Sequence, residues 1–426
     1  MTFLPLHEVG LAPAVTLGSS EDAHALGPIE LVVLQGTPFC NLNCSYCCLS
    51  AESRRKKGTM PLSLVERVFA EIFGSRFLGD KLTVSWHAGE PLTLPISYYE
   101  QAIETIQAIR SRLGRNGLEL RFHIQTNGVL IDDAWCAFFR RHQEIFEVGV
   151  SCDGPRELHD RHRVNWSGRP SFAQTTCGMD SLASHGIKYH LIAVVTPDSL
   201  IEPEQFIDFF YARKDELRGF HFNFVSEVNS GNSTLRYDER EKQLHYGFIR
   251  SILKQLRDKS DEGAPFTVRN FAQFYAKMFA PENLRRGNSG SETSFPFRTL
   301  NVDVEGNITT FHAGLYIDVL QDAYGDGIGL GIGNIWKHTL EEIAASKKLA
   351  RIIDDFQASQ SACERECEYA ALCSGGYEIA KKKRCGTFAV SETPECRLHV
   401  KTLADALLDD LDEFMGDTVQ RREGVA

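Results

Sequence analysis

Three thiols stand close together near the start of the chain. Cys40, Cys44 and Cys47 are spaced C-x3-C-x2-C within Cys40-Asn41-Leu42-Asn43-Cys44-Ser45-Tyr46-Cys47. Cysteines this close do not easily pair off as disulfides, but they can converge on one soft metal centre. A cubane [4Fe–4S] cluster takes four ligands, so a loop that gives three leaves one iron open to bind something else. A zinc knuckle or buried structural thiols are the competing readings. Zinc would need a fourth ligand nearby, and none is obvious before His87.

A second group of thiols lies near the other end. Cys363-x3-Cys367-x5-Cys373 is followed by Cys385 and Cys396, and no cysteine occurs from 178 to 362. Two separated groups imply two metal centres in two domains. The same C-terminal thiols could also build a zinc site. Cys152 reads as a small buried hydrophobe, as most free cysteines are.

The rest of the chain has to position these groups. At 426 residues it is too long for one ordinary core, so two domains, or a barrel with an appendage, are expected. A net charge of -11 argues against general nucleic-acid binding. No apolar run approaches a membrane span, and residues 1–27 lack the basic and apolar regions of a signal peptide. The expectation is a cytoplasmic protein with neither membrane nor nucleic-acid partners. Twelve cysteines there point to metal or redox chemistry before disulfides.

Apolar strands read at 29–35, 81–86, 119–125, 146–151, 188–195 and 219–225, with helical patterns near 61–73, 96–113, 132–142, 171–185 and 203–213. Such a βα series predicts a parallel sheet curled into a barrel or partial barrel, with chemistry at the C-terminal strand ends. The Cys40 loop leaves the first strand. Helices follow at 239–259 and 266–279, a polar stretch at 286–294, and a hairpin at 299–304 and 307–311 around Glu305-Gly306. Leu330-Gly331-Ile332-Gly333-Asn334-Ile335 leads to a helix near 338–349, and the loop-rich second thiol group and a helix at 398–414 close the chain.

The strand-end motifs carry a resemblance. The Cys40 loop with Tyr46 before its third cysteine, and Ala88-Gly89-Glu90-Pro91 after strand 81–86, are similar to the radical SAM enzymes. Their Gly-Gly-Glu-Pro motif holds the methionine amino group of S-adenosylmethionine (SAM); here Ala88 replaces the first Gly. Gln125-Thr126-Asn127-Gly128 and Ser151-Cys152-Asp153-Gly154 end the next two strands. The resemblance implies SAM contacts from Tyr46, Ala88, Gly89, Glu90, Pro91, Gln125, Asn127, Ser151, Asp153 and Arg163. A guanidinium fork suits the SAM carboxylate, although Arg163 also reads as a solvated arginine. The implied fold is α/β: a partial (β/α)6 TIM-like radical SAM barrel with a C-terminal SPASM-type iron–sulfur domain. The implied division is an arm over 1–28, the barrel over 29–235, a helical connector over 236–297 and the auxiliary cluster domain over 298–426.

The C-terminal cysteines resemble the SPASM extension of peptide-modifying radical SAM enzymes, which holds two auxiliary clusters. Three ligand slots lack cysteine here: Phe311, Tyr377 and residues 290–297. The resemblance therefore implies one auxiliary [4Fe–4S] cluster on Cys363, Cys367, Cys373 and Cys396, with Cys385 as an alternative, and two [4Fe–4S] clusters in all. Trp86-His87-Ala88-Gly89-Glu90-Pro91-Leu92, Asn307–Phe311, Cys373-Ser374-Gly375-Gly376 and Ser391-Glu392-Thr393 with Cys396-Arg397 are similar to the cyclophane-forming maturases of ribosomal peptides. That implies reductive SAM cleavage, a precursor peptide substrate and an external one-electron donor of flavodoxin or ferredoxin type. Other peptide modifications are a thioether link, epimerisation or formylglycine-type oxidation; an iron–sulfur carrier or peptide scaffold would be non-catalytic. His312 follows the slot at Phe311 and is the candidate base, with His87 second and Asp303 and Asp318 weaker. Each of these histidines also reads as an ordinary one at a strand end.

Overall fold

The structure is a computed structural model that describes residues 26–226, 238–259, 266–279, 295–312, 314, 316–317, 320–373, 375 and 377–423. The arm up to residue 25, the polar stretch 286–294 and Asp318 lie outside the described residues. Among the described residues nine strands form one sheet in the order β6-β5-β4-β3-β2-β1-β7-β8-β9. Six of them, β1 (Ile29–Leu34), β2 (Leu78–Trp86), β3 (Glu119–Thr126), β4 (Phe146–Ser151), β5 (Tyr189–Val195) and β6 (Leu217–Phe224), run parallel with helices between them. β6 and β9 are the sheet's two ends, so it does not close on itself.

Patterning explains the layers. β2 to β4 bury alternate residues such as Val84 and Trp86, Phe122 and Ile124, and Val148 and Val150. Trp86 stacks on Phe122 at 5.9 Å and meets Tyr99 edge-on at 5.2 Å. Helices cover this face. α1 (Leu62–Gly74) buries Leu64, Val65, Val68, Phe69, Ile72 and Phe73, a helical-period stripe. α2 (Ile96–Arg112), α3 (Asp133–Arg141) and α5 (Phe172–Ser184) follow the expected pattern, and α4 (Arg156–His162) is an additional short helix.

Two details position the site. β1 sits between β2 and β7 (Thr299–Val302), both parallel to it. Its end is tied to both neighbours: His87 N donates to Leu34 O and Gln35 N to Val302 O, at 3.1 and 2.9 Å. The hairpin of β7 and β8 (Asn307–Thr310), with β9 (Gly333–Asn334), therefore continues the parallel sheet and brings Phe311, His312 and Gly314 beside the strand ends.

The C-terminal region departs from the expected pattern. The helix expected near 338–349 is two helices, Leu340–Ala344 and Lys347–Glu366, because Ser346 caps the second one. That helix is long and amphipathic, burying Leu349, Ile352, Ile353 and Phe356, and it carries Cys363 in its last turn rather than in a loop. The closing helix starts at Thr402, after a π-helical turn over Cys396–Lys401.

Candidate functional site

The Cys40 loop is held by backbone bonds to two other segments. Cys40 N donates to Arg54 O, Asn43 N to Val164 O and Ser45 N to His162 O, at 2.7–3.0 Å. Trp166 Nε1 donates to Cys40 O at 2.8 Å. The buried Arg54 donates to Leu49 O and Leu42 O from inside the loop. Burial, with Glu90 second, pushes the Cys40 thiol up to about 12, and burial pushes Cys44 up to about 11. A hydrogen bond from Cys48 holds Cys47 down at about 6, and Arg54 and Arg163 also favour its thiolate. Among the described residues no group of three His, Cys, Asp or Glu side chains forms a site for a single metal ion.

The Ala88-Gly89-Glu90-Pro91 turn packs directly on this loop. A Cβ on Gly89 would stand 2.3 Å from Thr37 O and 2.7 Å from Phe39 O, so only glycine fits. Gly89 has φ 63° and Ala88 has φ 69°, so Ala88 takes a left-handed conformation that glycine would adopt freely. The Glu90 carboxylate is fully buried. It accepts hydrogen bonds from Leu92 N at 2.9 Å, Thr126 Oγ1 at 2.6 Å and Asn127 N at 2.8 Å. Burial raises its pKa and those three donors oppose the shift. Pro91 begins a 3-10 turn, and its carbonyl accepts from Tyr99 OH. Asn127 bridges to the cysteine loop, its Nδ2 donating to Asn41 Oδ1 at 2.7 Å. Glu90 and Asn127 thus lock the ends of β2 and β3 to the thiols, a role the motif alone does not disclose.

At the ends of β3 and β4 the polar groups are incompletely satisfied. Gln125 Nε2 donates to Ser151 Oγ at 2.9 Å, while the buried Gln125 Oε1 has no partner. Asp153, buried, accepts from Tyr46 OH and from Val194 N and pairs with Arg163, whose Nε lies 3.0 Å from Oδ2. That contact is an ion pair without hydrogen-bond alignment, so Arg163 Nε is a buried donor left over. The guanidinium lies over the Tyr46 ring, 5.6 Å from its centroid. Arg163 is therefore not the solvated arginine that its Arg/His-rich surroundings suggest. The unpartnered Gln125 Oε1 and the buried Arg163 guanidinium beside the thiol loop are polar groups that fit SAM.

His87 and His312 flank the same region. A Cβ on Gly314 would lie 3.1 Å from the His87 ring, so the 312–314 turn passes against it. Asn301 of β7 holds that turn, donating to His312 O and accepting from Gly314 N. His312 Nε2 faces Glu378 Oε2 at 3.1 Å, and Glu378 is 0% exposed. Burial lowers the pKa of His87. Two of the slots lacking cysteine, Phe311 and Tyr377, are filled by rings. Phe311, at φ 77°, stacks on Phe356 at 4.2 Å, and Tyr377 meets His312 edge-on at 5.1 Å. Asp303 instead caps its own hairpin, accepting from Glu305 N and Asn307 N.

The second thiol group comes from separate elements. Cys363 and Cys367 end the long helix, Cys373 ends Ala370–Cys373, and Cys396 opens the π-helical turn. Burial, then Cys373 and Cys367, pushes Cys396 up to about 12, so these three thiols share one neighbourhood. Cys363 Sγ faces Gly375 O, Ser391 O and Lys381 Nζ. Cys385 is exposed at the end of the helix Glu378–Cys385.

Residues 34–210 match the Radical SAM superfamily. The uncharacterized protein sll1766 of Synechocystis is 31% identical over 396 residues, covering 93% of this chain and 95% of that one. The chain belongs to the radical SAM superfamily. The serine-type anaerobic sulfatase-maturating enzyme of Bacteroides thetaiotaomicron is 35% identical over 187 residues, 43% of either chain. Among solved structures, native anSMEcpe with bound AdoMet and the Cp18Cys peptide superposes with a TM-score of 0.71 at 17% identity, covering 92% of this chain and 99% of that one. Streptococcus suis SuiB bound to precursor peptide SuiA gives 0.58 at 16% identity, covering 86% and 75%. At these identities the structural likeness is one of fold. As a radical SAM enzyme the chain uses a [4Fe–4S] cluster and SAM. No described helix is long and apolar enough to cross a membrane.

Proposed function

We propose that this radical SAM enzyme modifies a ribosomally made precursor peptide, joining an aromatic ring to a side-chain β-carbon as a cyclophane. When bound, the cluster and SAM supply a 5′-deoxyadenosyl radical that takes a hydrogen atom from the substrate. Cys40, Cys44 and Cys47 would hold that cluster. Gln125, through its unpartnered Oε1, and Arg163 and Ser151 beside it would receive SAM, and Gly89 lets the backbone approach. After the ring is attacked, it must lose a proton and an electron. His312, whose Nε2 faces the Glu378 carboxylate, would take the proton. Cys363, Cys367, Cys373 and Cys396 would hold the electron acceptor. The source of reducing electrons would be a flavodoxin or ferredoxin.

The observation that carries this reading is the His312–Glu378 pair beside His87, where the hairpin meets the strand ends. A peptide substrate is supported by the sulfatase-maturating relatives and by the peptide-bound neighbours. Those sulfatase-maturating relatives also favour a second reading, oxidation of a serine or cysteine to formylglycine. One experiment separates them. Anaerobic protein is incubated with SAM, reductant and a short aromatic-rich precursor peptide, sought first among the reading frames beside the gene, and the product is read by tandem mass spectrometry. A cyclophane removes two hydrogen atoms and suppresses fragmentation between the joined residues. A hydrazide-reactive aldehyde on one residue supports the second reading, and unmodified peptide contradicts the first.

A further inference from the structure

The helix Glu378–Cys385 carries two buried charges one turn apart. Glu378 is paired with His312. Lys381 is 1% exposed, and its ammonium donates to Ser359 Oγ at 2.7 Å, Gly375 O at 3.0 Å, Ser359 O at 3.1 Å and Cys363 Sγ at 3.1 Å. The oxygens among these partners are neutral, and no carboxylate forms an ion pair with Lys381 among the described residues. A buried cation is costly without a counter-charge. The Cys363 sulfur is the one partner able to supply it, as a thiolate bound to iron.

We propose that Lys381 is a positioning residue that raises the reduction potential of the auxiliary cluster through Cys363. The proposal rests on the reading of Cys363 as a cluster ligand. Reduction adds one negative charge to the cluster. A fixed ammonium in a dry site stabilises the reduced form more than the oxidised form, and a hydrogen bond to a ligand sulfur acts in the same direction. Where the reaction calls for an acceptor of one electron, such a group makes acceptance easier. Ser359 and Gly375 O hold the ammonium in place, so its effect does not depend on a mobile side chain.

The test uses the full chain with Cys40, Cys44 and Cys47 changed to Ala, which leaves the auxiliary cluster alone. Iron analysis comes first. A protein without iron overturns the assignment of the C-terminal thiols, and the Lys381 proposal with it. With about four irons present, the content of one cubane, reduction is followed by EPR at set potentials. Lys381→Met should lower the reduced-to-oxidised ratio about tenfold at a fixed potential, equivalent to about 59 mV for a one-electron couple. Lys381→Arg should recover most of that loss. An unchanged potential in iron-replete Lys381→Met overturns the proposal. If Lys381→Met sheds its cluster, the parent protein decides. Labelled with 15N-lysine, its reduced cluster should show a 15N hyperfine coupling, and the absence of that coupling overturns the proposal.

Discussion

The two thiol groups are built in opposite ways. Cys40, Cys44 and Cys47 share one short loop at the end of β1, clamped by β2, β7 and the Val164–Trp166 segment. Their surroundings are cationic and anionic at once, with Arg54 and Arg163 on one side and Glu90 on the other. The C-terminal thiols come from the ends of three helical segments, with Lys381 against Cys363 and Lys401 near Cys367 and Cys396. A loop of three ligands leaves an open coordination position suited to a substrate. Four ligands from separate elements make a closed site suited to electron transfer. Two positions where the resemblance would place thiols hold rings instead: Phe311 stacks on Phe356, which meets Phe388 at a tilt, and Tyr377 meets His312 edge-on.

This contrast can be broken by substitution. The largest effect is expected from Cys40, Cys44 and Cys47 changed together to Ala. Formation of 5′-deoxyadenosine from SAM should fall to background, and cleavage at the wild-type rate would remove the loop from the chemistry. Next is His312→Ala, assayed for two products at once. Modified peptide should fall by about 10²–10⁴-fold, the range for a general base, while 5′-deoxyadenosine continues to form. Full peptide modification would eliminate His312 as the base, and loss of both products would point to the fold or the SAM site. A smaller effect tests the intervening region. Phe311 is 1% exposed and stacked on Phe356, so Phe311→Ala should cost about 3–5 kcal/mol of stability in denaturant unfolding. A cost below about 1 kcal/mol would show that the rings do not fill the site.

The strands and the loop chemistry were legible because both are local. Six parallel strands follow from apolar runs, the Cys40 loop and Gly89 stand just past the ends of two of them, and Arg163 follows the short helix after β4. Glu90 was legible as a motif but not as the acceptor for donors from both the Pro91 turn and β3, since Thr126 and Asn127 meet it only in the folded sheet. Glu378 and Lys381 gave no signal. The stretch Glu378-Ile379-Ala380-Lys381-Lys382-Lys383-Arg384-Cys385 reads as a solvated basic helix, yet its first turn is buried against His312 and Cys363. Arg54 was hidden in the same way, inside the charged run Arg54-Arg55-Lys56-Lys57. Cys363 was expected in a loop because its helix is amphipathic rather than apolar, and its N-cap at Ser346 falls in the middle of the pattern.

The division of labour between two clusters is tested most directly by counting iron. Anaerobically reconstituted protein should hold about eight irons and eight sulfides per chain, and about four of each once Cys40, Cys44 and Cys47 are replaced by Ala. Mössbauer spectra should show cubane iron alone in both. About twelve irons in the wild-type chain would contradict the loss of a cluster at Phe311 and Tyr377, and about four would contradict the auxiliary site.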